Sequence, residues 1–283
     1  MLKIKNYRCL TVFIAALITL SLVLSGCASK NPDAKTGSDS SATTVLKVGA
    51  TPVPHAEILE FIKPALQKEG IDLQIVNYTD YVRPNQDLDT GDIDANFFQH
   101  TPYLESFNKD HNLNNVAIAK VHIEPMGIYS DKIEKLDDLK NGDTIAIPND
   151  PSNGGRALAL LAKTGIITLK DGVGIMGTVN DIKDNPKQLK ITPLDAPQLP
   201  RVLQDPKISA AVINTNYALE GGLNPLNDSI VMEDKDSPYA NILVVKDSRK
   251  DDPALQKLAK ALTSPEVKKF IEDKYKGSIV PAF

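Results

Sequence analysis

The sequence predicts an α/β protein of mixed sheets flanked by helices, preceded by an export segment and a tether. Three observations carry that expectation. From residue 45 onward, short β-rich runs alternate with helical patterns, the rhythm of βαβ units whose sheets are parallel or mixed. The first 26 residues read as a signal rather than as fold. No period of 20 to 50 residues repeats, which excludes solenoids and propellers.

The export segment comes first. Lys3, Lys5 and Arg8 precede an apolar run from Leu10 to Leu24, broken only by Thr11, Thr19 and Ser21. At 15 residues it is shorter than the roughly 20 needed to cross a bilayer core, so residues 1–26 are expected to be a signal peptide. Leu24-Ser25-Gly26-Cys27 resembles the bacterial lipobox, in which small residues admit the signal peptidase and the thiol takes a diacylglyceryl group. Residues 27–44 are then a lipidated cysteine and a disordered tether, rich in Ser, Thr, Lys, Asp and Gly. Cys9 departs with the signal and Cys27 carries lipid, so the mature body has no disulfide framework, thiol nucleophile or cysteine-based metal site. Removing residues 1–26 takes away three positive charges and moves the formal net charge from -4 to -7, which argues against nucleic acid as a partner.

About 240 residues remain, enough for two lobes of ordinary size or for one large domain. Strands are expected over 45–50, 72–77, 94–98, 116–123, 144–148, 189–193, 208–213 and 241–246. Helices are expected over 56–68, from 102, and over 155–163, 198–204, 253–262 and 265–274. Ser264 caps the last of these, with Pro265 at its first position.

Two stretches carry candidate chemistry. Of 8 Tyr and 7 Phe, six (Tyr78, Tyr81, Phe97, Phe98, Tyr103 and Phe107) fall between residues 78 and 107. Either a core or a pocket wall would use them. Phe98 and His100 are two apart on a strand, and Thr101-Pro102 opens a helix whose first turn presents Tyr103, so three side chains converge at a strand-to-helix junction. The second stretch, Pro148-Asn149-Asp150-Pro151-Ser152-Asn153-Gly154-Gly155-Arg156, reads as a strand feeding a helix N-terminus. Asn153 and Arg156 share a helix face, the glycines admit a close ligand, and helix amides with a guanidinium suit a carboxylate. A merely capped helix with an outward arginine is the competing reading.

Gly172-Val173-Gly174-Ile175-Met176-Gly177 matches the dinucleotide fingerprint in letters but not in context, since charged Lys170-Asp171 precede it and Asp184-Asn185-Pro186 follow. It is read as a loop. His55, His100, His111 and His122 lack metal-site spacing, His111 is expected at the surface and His55 at the first helix, and no nucleophile elbow or P-loop occurs. No enzyme, cofactor or metal is therefore expected.

Five motifs in order, Asn96-Phe97-Phe98-Gln99-His100-Thr101-Pro102-Tyr103-Leu104, the Pro148–Arg156 stretch, Asp195-Ala196-Pro197-Gln198-Leu199-Pro200-Arg201, Ala211-Val212-Ile213-Asn214-Thr215 and Ser237-Pro238-Tyr239-Ala240-Asn241, resemble the NlpA family of methionine-binding lipoproteins. The resemblance covers nearly the whole mature body. It implies a two-lobed type II periplasmic-binding-protein fold, with lobe 1 from residues 45–123 plus 236–283, lobe 2 from 124–235, and the ligand in the inter-lobe cleft. It implies that Tyr81, Phe98, His100 and Tyr103 enclose a thioether side chain, that Arg156 pairs with an α-carboxylate, and that Asn153, Asn214 and Asn241 complete the polar end. Gly154-Gly155 and Glu220-Gly221-Gly222 depart from the commonest pattern, and the extra glycine is expected to enlarge the cleft. The implied partners are methionine (L-Met, with D-Met or a Met dipeptide as alternatives), an ABC permease with its ATPase subunits, and a membrane through the lipid on Cys27, for a monomer on the extracytoplasmic face. A lipid-anchored surface interaction protein without transport role is the competing class; it would need an exposed apolar patch.

Overall fold

Regular structure begins at Thr44, one residue inside the expected tether: its amide donates to Gly70 O at 2.9 Å, and strand β1 (Thr44–Ala50) buries Leu46, Val48 and Ala50. The computed structural model describes residues 43–235 and 238–283. The expected signal peptide, lipidated Cys27 and the tether up to residue 42 lie outside the described residues, as do Asp236 and Ser237.

The first run of elements follows the expected order. Helix α1 (Glu57–Lys68) sets Ile58, Leu59, Ile62 and Leu66 on one buried face, and β2 (Ile71–Asn77) follows. Next comes α2 (Arg83–Thr90), which no periodicity announced because Leu88 is its only large apolar residue; Pro84 starts it and Gly91, at φ 88°, ends it. Strand β3 (Ala95–His100), α3 (Thr101–His111) and β4 (Asn115–Ile123) complete the run.

The chain then enters a second series: β5 (Gly127–Tyr129), β6 (Thr144–Pro148), α4 (Pro151–Lys163), a small hairpin of β7 (Thr168–Leu169) and β8 (Ile182–Asp184), β9 (Lys190–Leu194), α5 (Leu199–Val202), β10 (Ala210–Ile213), α6 (Thr215–Glu220), α7 (Pro225–Asp228) and β11 (Ser229–Met232). It returns through β12 (Ala240–Lys246), α8 (Pro253–Leu262), α9 (Pro265–Tyr275) and β13 (Val280–Pro281). Asp252 caps α8 and Ser264 caps α9, each accepting from amides of the first turn. The shortest strands escaped sequence reading because two to four residues establish no period. The expected helix over 198–204 shrinks to a 3-10 turn and the four residues of α5.

Two principal sheets result among the described residues. One has six strands in the order β13-β4-β12-β3-β1-β2, the other five in the order β11-β5-β10-β6-β9. Both are mixed, as expected. In the first, β1 is parallel to β2 and β3 while β12 lies antiparallel between β3 and β4. In the second, β6 is parallel to β9 and β10 while β5 runs antiparallel to β10 and β11. Central strands are buried along their whole length, and Ala210–Ile213 and Ala240–Val245 read accordingly as near-continuous apolar runs. The six-stranded sheet packs Leu46, Val48, Phe97, Leu243 and Val245 against α1, α8 and α9. The five-stranded sheet buries Ile145, Ile147 and Val212 against Leu158 and Leu161 of α4 on one face, and Ala146, Ala211 and Ile213 against Leu199 and Tyr217 on the other. Two connections join the sheets: residues 124–126 lead out of β4, and the return starts after Met232 and ends at Ala240. No helix among the described residues is long and apolar enough to cross a membrane.

Candidate functional site

A narrow cavity lies between the two series of elements, lined by Tyr81, Phe98, Gln99, His100, Tyr103 and Asn241 from one side and Asn153, Arg156, Asn214, Thr215 and Asn216 from the other, with Glu124 at the connection. All eight residues singled out in the sequence meet here.

One end is made of rings. The Tyr81 centroid lies 5.8 Å from those of Phe98 and Tyr103, and Phe98 and Tyr103 meet edge-on at 5.9 Å. These are favourable aromatic geometries. Phe98 and His100 both reach the cavity, though not by simple alternation. The β3–β12 register slips between Leu243, opposite Phe97, and Ile242, opposite Gln99, so Phe98 is the extra residue of a bulge. A bulge re-aims side chains, and three consecutive residues, Phe98 to His100, therefore line the space. Gln99 is at the same time tied to Asn85 and Asn96 by bonds of 2.7–3.0 Å, which fixes α2 on β3. Tyr103 OH donates to Tyr81 O at 2.9 Å, and Tyr81 OH donates to Asn216 Oδ1 across the cavity.

The other end is polar. Tyr103 N donates to His100 Nδ1, so the ring proton sits on Nε2 and donates to Asn153 Oδ1 at 3.0 Å. Burial, then the nearby Arg156, push the His100 pKa down to about 3, keeping it neutral. Asn153 Oδ1 also accepts from Asn214 Nδ2 at 2.9 Å, while Asn214 Oδ1 is buried with no hydrogen-bond partner among the described residues. An orphan acceptor facing a void is costly unless a ligand donor fills it. Asn241 Oδ1 accepts from His55 Nε2 at 3.0 Å.

Arg156 is held from several directions. Its Nε contacts both Glu233 carboxylate oxygens at 3.1 and 3.2 Å, Nη2 reaches Glu233 Oε2 and donates to Glu124 O at 2.8 Å, and the Tyr239 ring lies 4.0 Å below. Glu124, Glu233 and Tyr239 all belong to the connections between the sheets. Only Nη1 makes no hydrogen bond among the described residues. A bound carboxylate would thus meet one edge of the guanidinium rather than the open fork.

Three expectations are corrected. The α4 N-terminus does not offer the Asn153 amide to a ligand, because Asp150 Oδ1 already accepts from it at 2.9 Å. Gly155 does not widen the cavity: a Cβ there would sit 2.2 Å from Ile175 O, so this glycine admits the 174–177 loop, the stretch that mimicked a dinucleotide fingerprint. His55 and His122 are not isolated histidines. Thr51 Oγ1 lies 2.7 Å from His55 Nδ1, while His55 Nε2 and His122 Nε2 lie 3.2 and 2.7 Å from Glu124 Oε1, with the three ligand-type atoms within 4.8 Å of one another. His111 is exposed and stacks on Phe107. Glu124, Asn216 and Glu233 escaped sequence reading, and Gln99, Thr215 and Tyr239 stood inside the quoted motifs without being assigned to the site. The only signal for Asn216 was its position just past the quoted Asn214-Thr215 pair, and nothing local marks Glu124 or Glu233.

Comparison with known proteins places these features in a lineage. The family model described as NlpA lipoprotein matches residues 46–283. The D-methionine-binding lipoprotein MetQ of Salmonella typhimurium is 45% identical over 261 residues, covering 92% of this chain and 93% of that protein. Among solved structures, a nutrient binding protein from Burkholderia cenocepacia bound to methionine is 48% identical with a TM-score of 0.81, covering 84% of this chain and 100% of that one. An ABC transporter periplasmic substrate-binding protein from Coxiella burnetii is 43% identical with a TM-score of 0.80, covering 84% and 100%.

Proposed function

This chain belongs to the NlpA lipoprotein family, and we propose that it is the substrate-binding protein of an ABC importer, capturing methionine in the cavity between its two lobes. The observation that carries the reading is the cavity's polarity: rings of Tyr81, Phe98 and Tyr103 at one end, Arg156 with Asn153, Asn214 and Asn241 at the other. A thioether is polarizable and gains about 0.3–1.5 kcal/mol against an aromatic ring. At the polar end, Arg156 Nη1 faces the ligand carboxylate and Asn214 Oδ1 accepts from the ammonium group, relieving the orphan acceptor. His100, neutral and fixed by Asn153, lines the junction of the two ends.

In this reading residues 45–123 plus 236–283 form one lobe and 124–235 the other, and closure of the lobes is the signal a permease reads. The lipid on Cys27 holds the protein, a monomer, at the extracytoplasmic face of a membrane beside the permease and its ATPase subunits; that part rests on the Leu24–Cys27 motif. The L-enantiomer is the cargo expected first, and D-methionine and a methionine dipeptide are the ligands ranked against it.

The test is to purify the body after residue 27 from cells grown in rich medium, denature it, and identify the released small molecule by chiral mass spectrometry. Methionine is the expected product. Release of a sugar or of nothing, together with no calorimetric heat on adding either methionine enantiomer, would reject the proposal.

A further inference from the structure

Glu124 is a buried acid that the proposed binding scheme does not use. It stands at the first residue after β4, where the chain leaves the six-stranded sheet, and it lines the cavity with 7% of its side chain accessible. Three donors converge on its carboxylate. His122 Nδ1 is buried with no partner among the described residues, so its proton belongs on Nε2, 2.7 Å from Glu124 Oε1. His55 Nε2 faces two acceptors, Asn241 Oδ1 and Glu124 Oε1, while its Nδ1 can accept from Thr51, which places its proton on Nε2 as well. Asn216 N, in the first turn of α6, donates to Oε2 at 3.0 Å.

Burial pushes the Glu124 carboxyl up, and His55, Arg156 and the Asn216 amide hold it back. Both imidazoles are kept neutral by burial, with His55 lowered to about 4 and His122 to about 3. Neutral rings cannot cancel the carboxylate's charge; they orient it. The positive charge of Arg156 is meanwhile engaged by Glu233. With Glu233 already set against Arg156, Glu124 lines the same cavity as Asn214 and makes no ion pair with a Lys or Arg among the described residues, Arg156 acting on it only from a distance.

We propose that Glu124 is a specificity-determining residue: its carboxylate, oriented by His55, His122 and the Asn216 amide, supplies the negative charge that selects ligands bearing a cationic amine beside the carboxylate met by Arg156. The assignment rests on the reading of the cavity as an amino-acid site. It predicts that a ligand stripped of its amine is rejected because Glu124 repels the remaining carboxylate and gains no counter-charge. Serving as the cap of α6 is a structural role that would leave this preference untouched.

The experiment is calorimetric titration, at pH 7, of the wild-type protein and Glu124→Gln with methionine and with 4-(methylthio)butanoate, the same acid lacking the amine. Wild type is expected to prefer methionine at least a hundredfold. In Glu124→Gln that preference is expected to narrow at least tenfold, by weaker methionine binding with unchanged or tighter binding of the desamino acid. Should Glu124→Gln not fold, Glu124→Asp and Glu124→Asn form a second pair differing in charge alone, the aspartate keeping a preference at least tenfold greater. A folded neutral variant with the wild-type preference overturns the proposal. Failure of the wild type to bind methionine would instead reject the functional reading on which it rests.

Discussion

The two ends of the cavity are built in opposite ways. The aromatic end comes almost entirely from residues 81 to 103, one turn, one strand and one helix start, and its rings contact one another directly in tilted and edge-on pairs. The polar end gathers Glu124, Asn153, Arg156, Asn214, Asn216 and Asn241 from four separate segments, and its geometry depends on bonds that cross between the sheets. Apolar contact is non-directional and tolerates small displacement, whereas a paired charge must be held within hydrogen-bond range. The polar end is therefore the fragile one, and disturbing it is expected to cost more than disturbing the rings.

The sharpest way to break that contrast is Arg156→Ala. Removing one partner of a desolvated charge pair costs about 2–5 kcal/mol, so methionine affinity measured by calorimetry is expected to fall by roughly a factor of 30 or more. An undiminished affinity would place the ligand carboxylate elsewhere. Glu233→Ala acts on the same residue from behind. It strips the bonds to Nε and Nη2 of a buried guanidinium, and urea unfolding is expected to show a loss of about 1.5–3 kcal/mol, the range for bonds to charged groups; no change would mean that the pair is solvent-compensated.

At the aromatic end the effects are smaller. Tyr103→Phe removes one hydrogen bond to Tyr81 O while keeping the ring, and about 1 kcal/mol of stability, with methionine affinity changed less than threefold, is the expectation; a larger loss of binding would make the hydroxyl a ligand contact and blur the division. The smallest effect concerns charge. With pKa values lowered by burial to about 4, 3 and 3, His55, His100 and His122 should show neutral-imidazole ¹⁵N shifts at pH 5. The sign follows: the unfolded rings take up protons below about 6.5 and the folded rings do not, so their contribution to stability is present above pH 6.5 and is lost as pH falls toward 3 to 4. Glu124, Asp150 and Glu220, the last raised to about 7, bind protons more readily when folded and work against that slope. A charged ring at pH 5 in the folded protein would contradict the tautomers assigned around Glu124.

The division between the two ends is also the division in what could be read from the chain. The alternation of strands and helices, the cap at Ser264 and the ring cluster from Tyr78 to Phe107 are local patterns, and local sterics and periodicity fix them. Asn153 and Arg156 stood out in the strand-to-helix stretch that ends at Arg156, while resemblance to a family alone carried Tyr81, Asn214 and Asn241 into the site. Neither route pointed to Glu124 or Glu233, since an isolated glutamate looks the same in sequence whether it is solvated or buried against a histidine.

The amino-acid order by itself determined the secondary-structure rhythm, the mixed character of the sheets and eight of the residues that line the cavity. Only the tertiary structure decided that Gly155 receives a loop rather than a ligand, that β3 bulges at Phe98, and that Arg156 is already engaged by both connections between the sheets. The reason is physical: periodicity reports which face of an element is buried, while the partner of a buried charge is set by segments more than 70 residues apart in sequence, as Arg156 and Glu233 are.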